Sequence, residues 1–126
     1  MARILLVDDY PQNIALMVTL LRSLGHEPIS AASGALAVEI AARETVDLVL
    51  LDIQMPEMDG FETAEALRLN PALADVPFVA VTARARPGDR ATILDSGFSG
   101  YIAKPIDAAL LSEQIAPFLP QLEAAT

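Results

Sequence analysis

Short apolar runs alternate along the chain with stretches where apolar residues return every three or four positions, and this alternation repeats five times. Continuous apolar runs of four to six residues predict strands buried on both faces of a parallel sheet, and the longer period predicts amphipathic helices. The first strand is read at Arg3 to Val7, followed by a helix from Gln12 to Leu24 with Ile14, Met17, Leu20, Leu21 and Leu24 facing the core. Gly25 ends that helix. A weaker strand, His26 to Ala31, contains Pro28 and so belongs at a sheet edge. Ser33 caps a helix running from Gly34 to Arg43, and Asp47 to Leu51, the most apolar run, predicts a central strand. After a turn-rich loop, a helix covers Gly60 to Leu69 until Asn70-Pro71 stops it. Val76 to Val81 predicts the fourth strand, Pro87 to Ser96 a helix, Gly100 to Ala103 the fifth strand, and Ala108 to Ala116 a last helix capped by Asp107. The expected fold is α/β: a flavodoxin-like (βα)5 doubly wound parallel sheet in strand order 2-1-3-4-5. Residues 1–117 form its one domain and 118–126 a short tail, whose segment Phe118 to Leu122 is apolar enough to pack on the domain or on a second copy, although fraying is the commoner outcome for a terminal segment.

The residues just beyond the strands change the picture from fold to chemistry. Asp8 and Asp9 come directly after the first apolar run and Asp52 directly after the third. Open α/β sheets bind ligands outside the carboxyl ends of their strands, where strand order reverses, and here that point lies between the first and third strands. Three carboxylates would converge there, and like charges so close resist joint ionisation. A cation must offset them. Asp8 and Asp9 suit a hard divalent ion that keeps several of its waters, as Mg2+ does. Thr82 follows the fourth strand and Lys104 the fifth. An ionised Asp52 could then serve as a nucleophile, with Thr82 and Lys104 covering the oxygens of a moving phosphoryl group. Each residue alone reads more simply as a cap or turn former. The conjunction of five argues for the site. Lys104-Pro105 is read as a cis bond that aims the lysine, although a trans proline ending the strand is the commoner arrangement.

Composition narrows the function. With 126 residues, 53% hydrophobic and 20% charged, the chain is long enough for one real core and too apolar for disorder. A formal charge of −9 argues against nucleic acid as a partner, and no apolar run is long enough to span a membrane. The absence of cysteine excludes a disulfide framework and a thiolate metal site, which fits a cytoplasmic protein. Seven cations are arginine and only Lys104 is lysine, as a site needing a compact point charge would have it, though chance accounts for one lysine equally well.

Four segments, LLVDD (5–9), LVLLDIQMPEMDG (48–60), VAVTA (79–83) and YIAKP (101–105), resemble in this order and spacing the receiver domain of two-component response regulators of the CheY type. The resemblance covers Arg3 to Ala116. It implies that Asp52 accepts a phosphoryl group from a histidine kinase or a histidine phosphotransfer protein. It also implies that Asp8, Asp9, Asp52 and the main-chain carbonyl of Gln54 surround Mg2+. Lys104 would contact the phosphate beside a cis bond to Pro105. Thr82 would move towards the phosphoryl group, and Tyr101, otherwise just a half-buried aromatic in a short strand, would turn inward behind it. Gln54 and Arg84 stand where the family varies and tunes phosphoryl lifetime.

The expected function is a signalling switch rather than an enzyme. Phosphorylation would alter the surface of the fourth helix, fifth strand and fifth helix, including Arg86, Arg90, Ile93 and Leu94, for a protein partner or a second copy of the chain. The ten residues after Ala116 cannot hold an output domain. A receiver belonging to a hybrid histidine kinase or larger regulator, and a phosphate-independent docking module, are the alternatives. An aspartyl-phosphate hydrolase would call for a second Asp where Gln54 stands. A flavodoxin-like small-ligand binder would need a phosphate-cradling first loop in place of Asp8-Asp9-Tyr10-Pro11.

Overall fold

A computed structural model describes residues 2–83 and 87–119. It contains β1 (Arg3–Val7), α1 (Pro11–Ser23), β2 (Glu27–Ala31), α2 (Gly34–Ala41), β3 (Leu48–Asp52), α3 (Gly60–Arg68), β4 (Phe78–Thr82), α4 (Pro87–Asp95), β5 (Gly100–Ala103) and α5 (Ala108–Ile115). The strands pair in parallel in the order β2-β1-β3-β4-β5, as the sequence predicts. Because successive strand residues face opposite sides, β1, β3 and β4 feed two cores at once. Leu5, Val7, Val49, Leu51, Phe78 and Ala80 pack with Ala37, Ile40, Ala64, Leu67 and Ile93 of α2, α3 and α4. Ile4, Leu6, Leu48, Leu50, Val79 and Val81 pack with Met17 and Leu21 of α1 and Leu111 and Ile115 of α5. No helix among the described residues is long and apolar enough to cross a membrane.

Helices α2, α3 and α5 start where a side chain satisfies a free main-chain N–H group. Ser33 Oγ accepts from the Leu36 N–H at 3.1 Å, and Asp107 Oδ1 from the Ala109 N–H at 2.9 Å. At α3, Asp59 and Glu62 form a reciprocal capping box. Tyr10 offers α1 no such bond, and Pro11 occupies its first turn instead, one residue ahead of the predicted start.

Several local expectations need correction. α1 ends at Ser23, so Leu24 is its C-cap residue and is 37% exposed instead of lying in the core. Ile14, on the same helix, is only half-buried, and Ile93 of α4, expected on the partner surface, is 2% exposed and packs in the core. Asn70-Pro71 does more than stop α3. Asn70 Oδ1 accepts from the Ala72 N–H, and a 3-10 turn, Pro71–Leu73, buries Leu73. The fourth strand enters the sheet at Phe78 rather than Val76, since the intervening Pro77 has no N–H to give a ladder. The start of the tail is packed rather than frayed: a second 3-10 turn, Ala116–Phe118, sets Phe118 and Leu119 against the α1/α5 core. The rest of the predicted tail (120–126), and Arg84 and Arg86, lie outside the described residues.

Candidate functional site

The interiors of β1, β3 and β4 are buried on both faces, so the first side chains there able to reach a ligand are those at the strand ends. Asp8 directly follows β1 and is buried; its Oδ1 accepts from the Tyr10 N–H at 2.9 Å. That bond turns the chain into α1 and leaves Oδ2 facing the crevice. Asp9, the next residue, is exposed. Asp52 is the last residue of β3 and is also buried, with the Gln54 N–H donating to its Oδ1 at 3.2 Å. Asp8, Asp9 and Asp52 each offer a carboxylate oxygen, and these oxygens lie within 4.8 Å of one another.

Lys104 reaches into this cluster from the end of β5. Its Nζ stands 3.3 Å from Asp52 Oδ1 and 3.4 Å from Asp8 Oδ2. Its main-chain N–H donates to the Thr82 carbonyl at 2.8 Å, and the peptide bond from Lys104 to Pro105 is cis. Thr82 ends β4, is 1% exposed and stands in register with Ala103. Tyr101 lies two residues earlier on β5, half-buried and opposite Ala80, so its side chain shares a sheet face with Thr82.

Charge balance decides which ion the cluster suits. Burial, reinforced by the Asp8 charge, raises the Asp52 carboxyl above its ordinary pKa; Lys104 and the Gln54 N–H act in the opposite direction. One ammonium against three carboxylates leaves two negative charges. A divalent cation balances them, and an all-oxygen donor set with one ligand open to solvent fits Mg2+, which keeps part of its hydration shell. The residues present therefore fit the ion.

The turn after β3 fixes the other wall. The Gly60 N–H donates to the Ile53 carbonyl at 2.9 Å, locking the start of α3 against the end of β3. A Cβ on Gly60 would lie 2.6 Å from the Asp52 carbonyl oxygen, so the approach requires glycine. Glu57 in the same turn has φ 64. Gln54 is exposed beside a cavity of about 150 Å³ lined by Ile53, Phe61, Thr82, Asp89 and Ile93. A concavity of about 760 Å³ lies at the opposite ends of the strands, around Asp47, Phe78 and Pro117, away from the carboxylates.

Thus the fold brings Asp8, Asp9, Asp52 and Lys104 to one point, with Thr82 on the adjoining strand end. Nothing in the sequence signals one neighbour: the Arg90 guanidinium lies 5.2 Å from the centroid of the Tyr101 ring. That contact depends on how α4 is rotated over β5, which apolar spacing alone does not set.

The family model of the response regulator receiver domain matches residues 4–116. The chain belongs to this family. It is 40% identical over 116 residues to the sensor protein GacS of Pseudomonas syringae pv. syringae, covering 90% of the chain but 13% of that protein. It is 36% identical over 116 residues to the polar-differentiation response regulator DivK of Brucella ovis, covering 92% of the chain and 94% of DivK. Among solved structures, chemotaxis protein CheY4 of Vibrio cholerae superposes with a TM-score of 0.89 at 28% identity, over 94% of this chain and 99% of that one. The receiver domain of a sensor histidine kinase from Pseudomonas aeruginosa, which holds Mg2+ in its active-site cleft, gives 0.84 at 36% identity, over 93% and 96%. TrrA of Thermotoga maritima, solved with Mg2+ and BeF, gives 0.81 at 30% identity, over 94% and 100%. The receiver family consists of signalling switches of two-component systems, and the expected fold and family both hold.

Proposed function

We propose that this receiver domain is switched by phosphorylation of Asp52, the donor being a histidine kinase or a histidine phosphotransfer protein. The observation that carries this reading is the meeting of three carboxylates and one ammonium at the carboxyl ends of β1, β3 and β5. Asp8, Asp9, Asp52 and the main-chain carbonyl of Gln54 would hold Mg2+. When bound, the ion supplies charge neutralisation that keeps Asp52 ionised and shields the incoming phosphate. An Asp52 carboxylate oxygen attacks phosphorus, an acyl phosphate forms, and the phosphorus–nitrogen bond to the donor imidazole breaks. The imidazole leaves and takes its proton from solvent. Lys104 Nζ and the Thr82 hydroxyl then bind phosphoryl oxygens. Thr82 shifts to do so, Tyr101 turns inward behind it, and the α4-β5-α5 surface changes for a protein partner or a second copy of the chain. Gln54 and Arg84 tune the lifetime of the phosphoryl group.

We read residues 1–117 as the switching unit and 118–126 as an appendage to it, working in the cytoplasm with neither nucleic acid nor membrane as a direct partner. The match to a short segment of GacS favours a second reading of context, in which this receiver serves within a hybrid kinase phosphorelay. The chemistry at Asp52 is the same in both. The test is transfer from acetyl phosphate in Mg2+, followed by borohydride reduction and peptide mapping. Modification at residue 52 that vanishes with EDTA is expected. Modification elsewhere, or uptake indifferent to EDTA, overturns the proposal.

A further inference from the structure

Tyr101 is held from outside by an unusual neighbour. Arg90, exposed on α4, lays its guanidinium over the Tyr101 ring at 5.2 Å from the centroid, within the range where a cation is attracted by an aromatic face. Among the described residues no carboxylate pairs with Arg90, whereas Arg3 is paired with Glu44 and Glu27. The ring is thus the one partner found there for this cation. On the sheet side, Ala80, a single methyl, stands opposite Tyr101 in the register, and Thr82 is the next residue on that face. The ring therefore sits between a small residue inside and a cation outside.

We propose that Arg90 is a latch on Tyr101, stabilising the half-buried position of the ring and so setting how far the resting switch leans towards its inactive state. The proposal rests on the phosphorylation reading given above. Turning the ring inward breaks the Arg90 contact, which contributes to the resting state alone. Only such a differential contact can bias a two-state equilibrium. An exposed cation–π contact of this kind corresponds to a population shift of about two- to fivefold. Arg90 becomes free for a partner's carboxylate in the switched state, so the latch also changes the charge displayed on the α4-β5-α5 surface.

The experiment titrates wild type, Arg90→Ala and Arg90→Lys with BeF3− at saturating Mg2+. The Tyr101 ring resonances are followed by NMR of tyrosine-labelled protein and assigned with Tyr101→Phe. In wild type the resonances should move on BeF3− addition. In Arg90→Ala they should begin part-way along that path, and the midpoint should fall about two- to fivefold. Arg90→Lys, keeping a cation, should lie between. Wild-type movement with an unchanged start and midpoint in Arg90→Ala overturns the latch alone. A wild-type Tyr101 that does not respond while BeF3− binds overturns the switch reading and the latch with it. Thermal unfolding of each variant separates loss of the latch from general loosening of α4, which would lower the melting temperature without placing Tyr101 on the wild-type path.

Discussion

Replacing Gly60 by alanine tests the junction that aims Asp52. An added Cβ would stand 2.6 Å from both the Asp52 carbonyl oxygen and the Ile53 Cα, and 3.0 Å from Ile53 Cδ1. Ordinary contact begins at 3.4 Å, so about 0.8 Å must be found against main-chain atoms, which have no rotamer to change. Moving α3 away stretches the 2.9 Å bond from the Gly60 N–H to the Ile53 carbonyl. Overpacking of this kind costs about 1–3 kcal/mol, and the better helix propensity of alanine returns less than about 1 kcal/mol at a first-turn position. The net loss should be about 2 kcal/mol. For a chain of 126 residues the unfolding entropy makes each kcal/mol worth about 4 °C, so the melting temperature should fall by about 8 °C. Gly88 is the internal control. A Cβ there meets nothing within 4 Å, so Gly88→Ala should raise the melting temperature by about 2–4 °C through loss of unfolded-state freedom. Thermal unfolding by far-UV circular dichroism reads both. Equal shifts for the two variants, or an unchanged Gly60→Ala, would refute the packing argument.

Three more outcomes are expected at and around the site. Burial and Asp8 raise the Asp52 pKa in the fold, so stability falls as pH rises from the unfolded value of 3.8 through the raised one, then levels. Asp52→Asn should therefore be more stable than wild type at neutral pH without Mg2+, with the gap closing below pH 3.8 and narrowing when Mg2+ is added; melting temperature against pH reads this. Lys104→Arg should slow phosphoryl uptake roughly tenfold, because a broad planar guanidinium does not reproduce the compact point charge that stands 3.3 and 3.4 Å from two carboxylates; time-resolved mass spectrometry would show an unimpaired variant if this is wrong. Glu57 sits in the left-handed region at φ 64, which asparagine tolerates better, so Glu57→Asn should raise the urea midpoint by an amount worth about 0.5–1 kcal/mol with no change in slope.

The strands were legible because a doubly buried strand needs an unbroken apolar run, and the polar residue that ends each run is placed by the same rule. Asp8, Asp52, Thr82 and Lys104 are thus assigned to one edge by the apolar pattern alone. Properties that depend on packing between elements were not legible. Leu24 fits the apolar period of α1 yet is exposed, because the helix ends one residue before it. Phe118 belongs to a terminal segment by position and to the core by contact, since the 3-10 turn that returns it depends on α5. Arg90 and Tyr101 are eleven residues apart with nothing in their spacing to pair them; only the seating of α4 over β5 does so.

Phosphoryl acceptance by Asp52 is tested most directly by the intact mass of wild type and Asp52→Asn after exposure to acetyl phosphate and Mg2+. One added phosphoryl group is expected in wild type and none in Asp52→Asn. Equal uptake by both proteins would contradict the assignment, because the acceptor would then lie outside the carboxylate cluster.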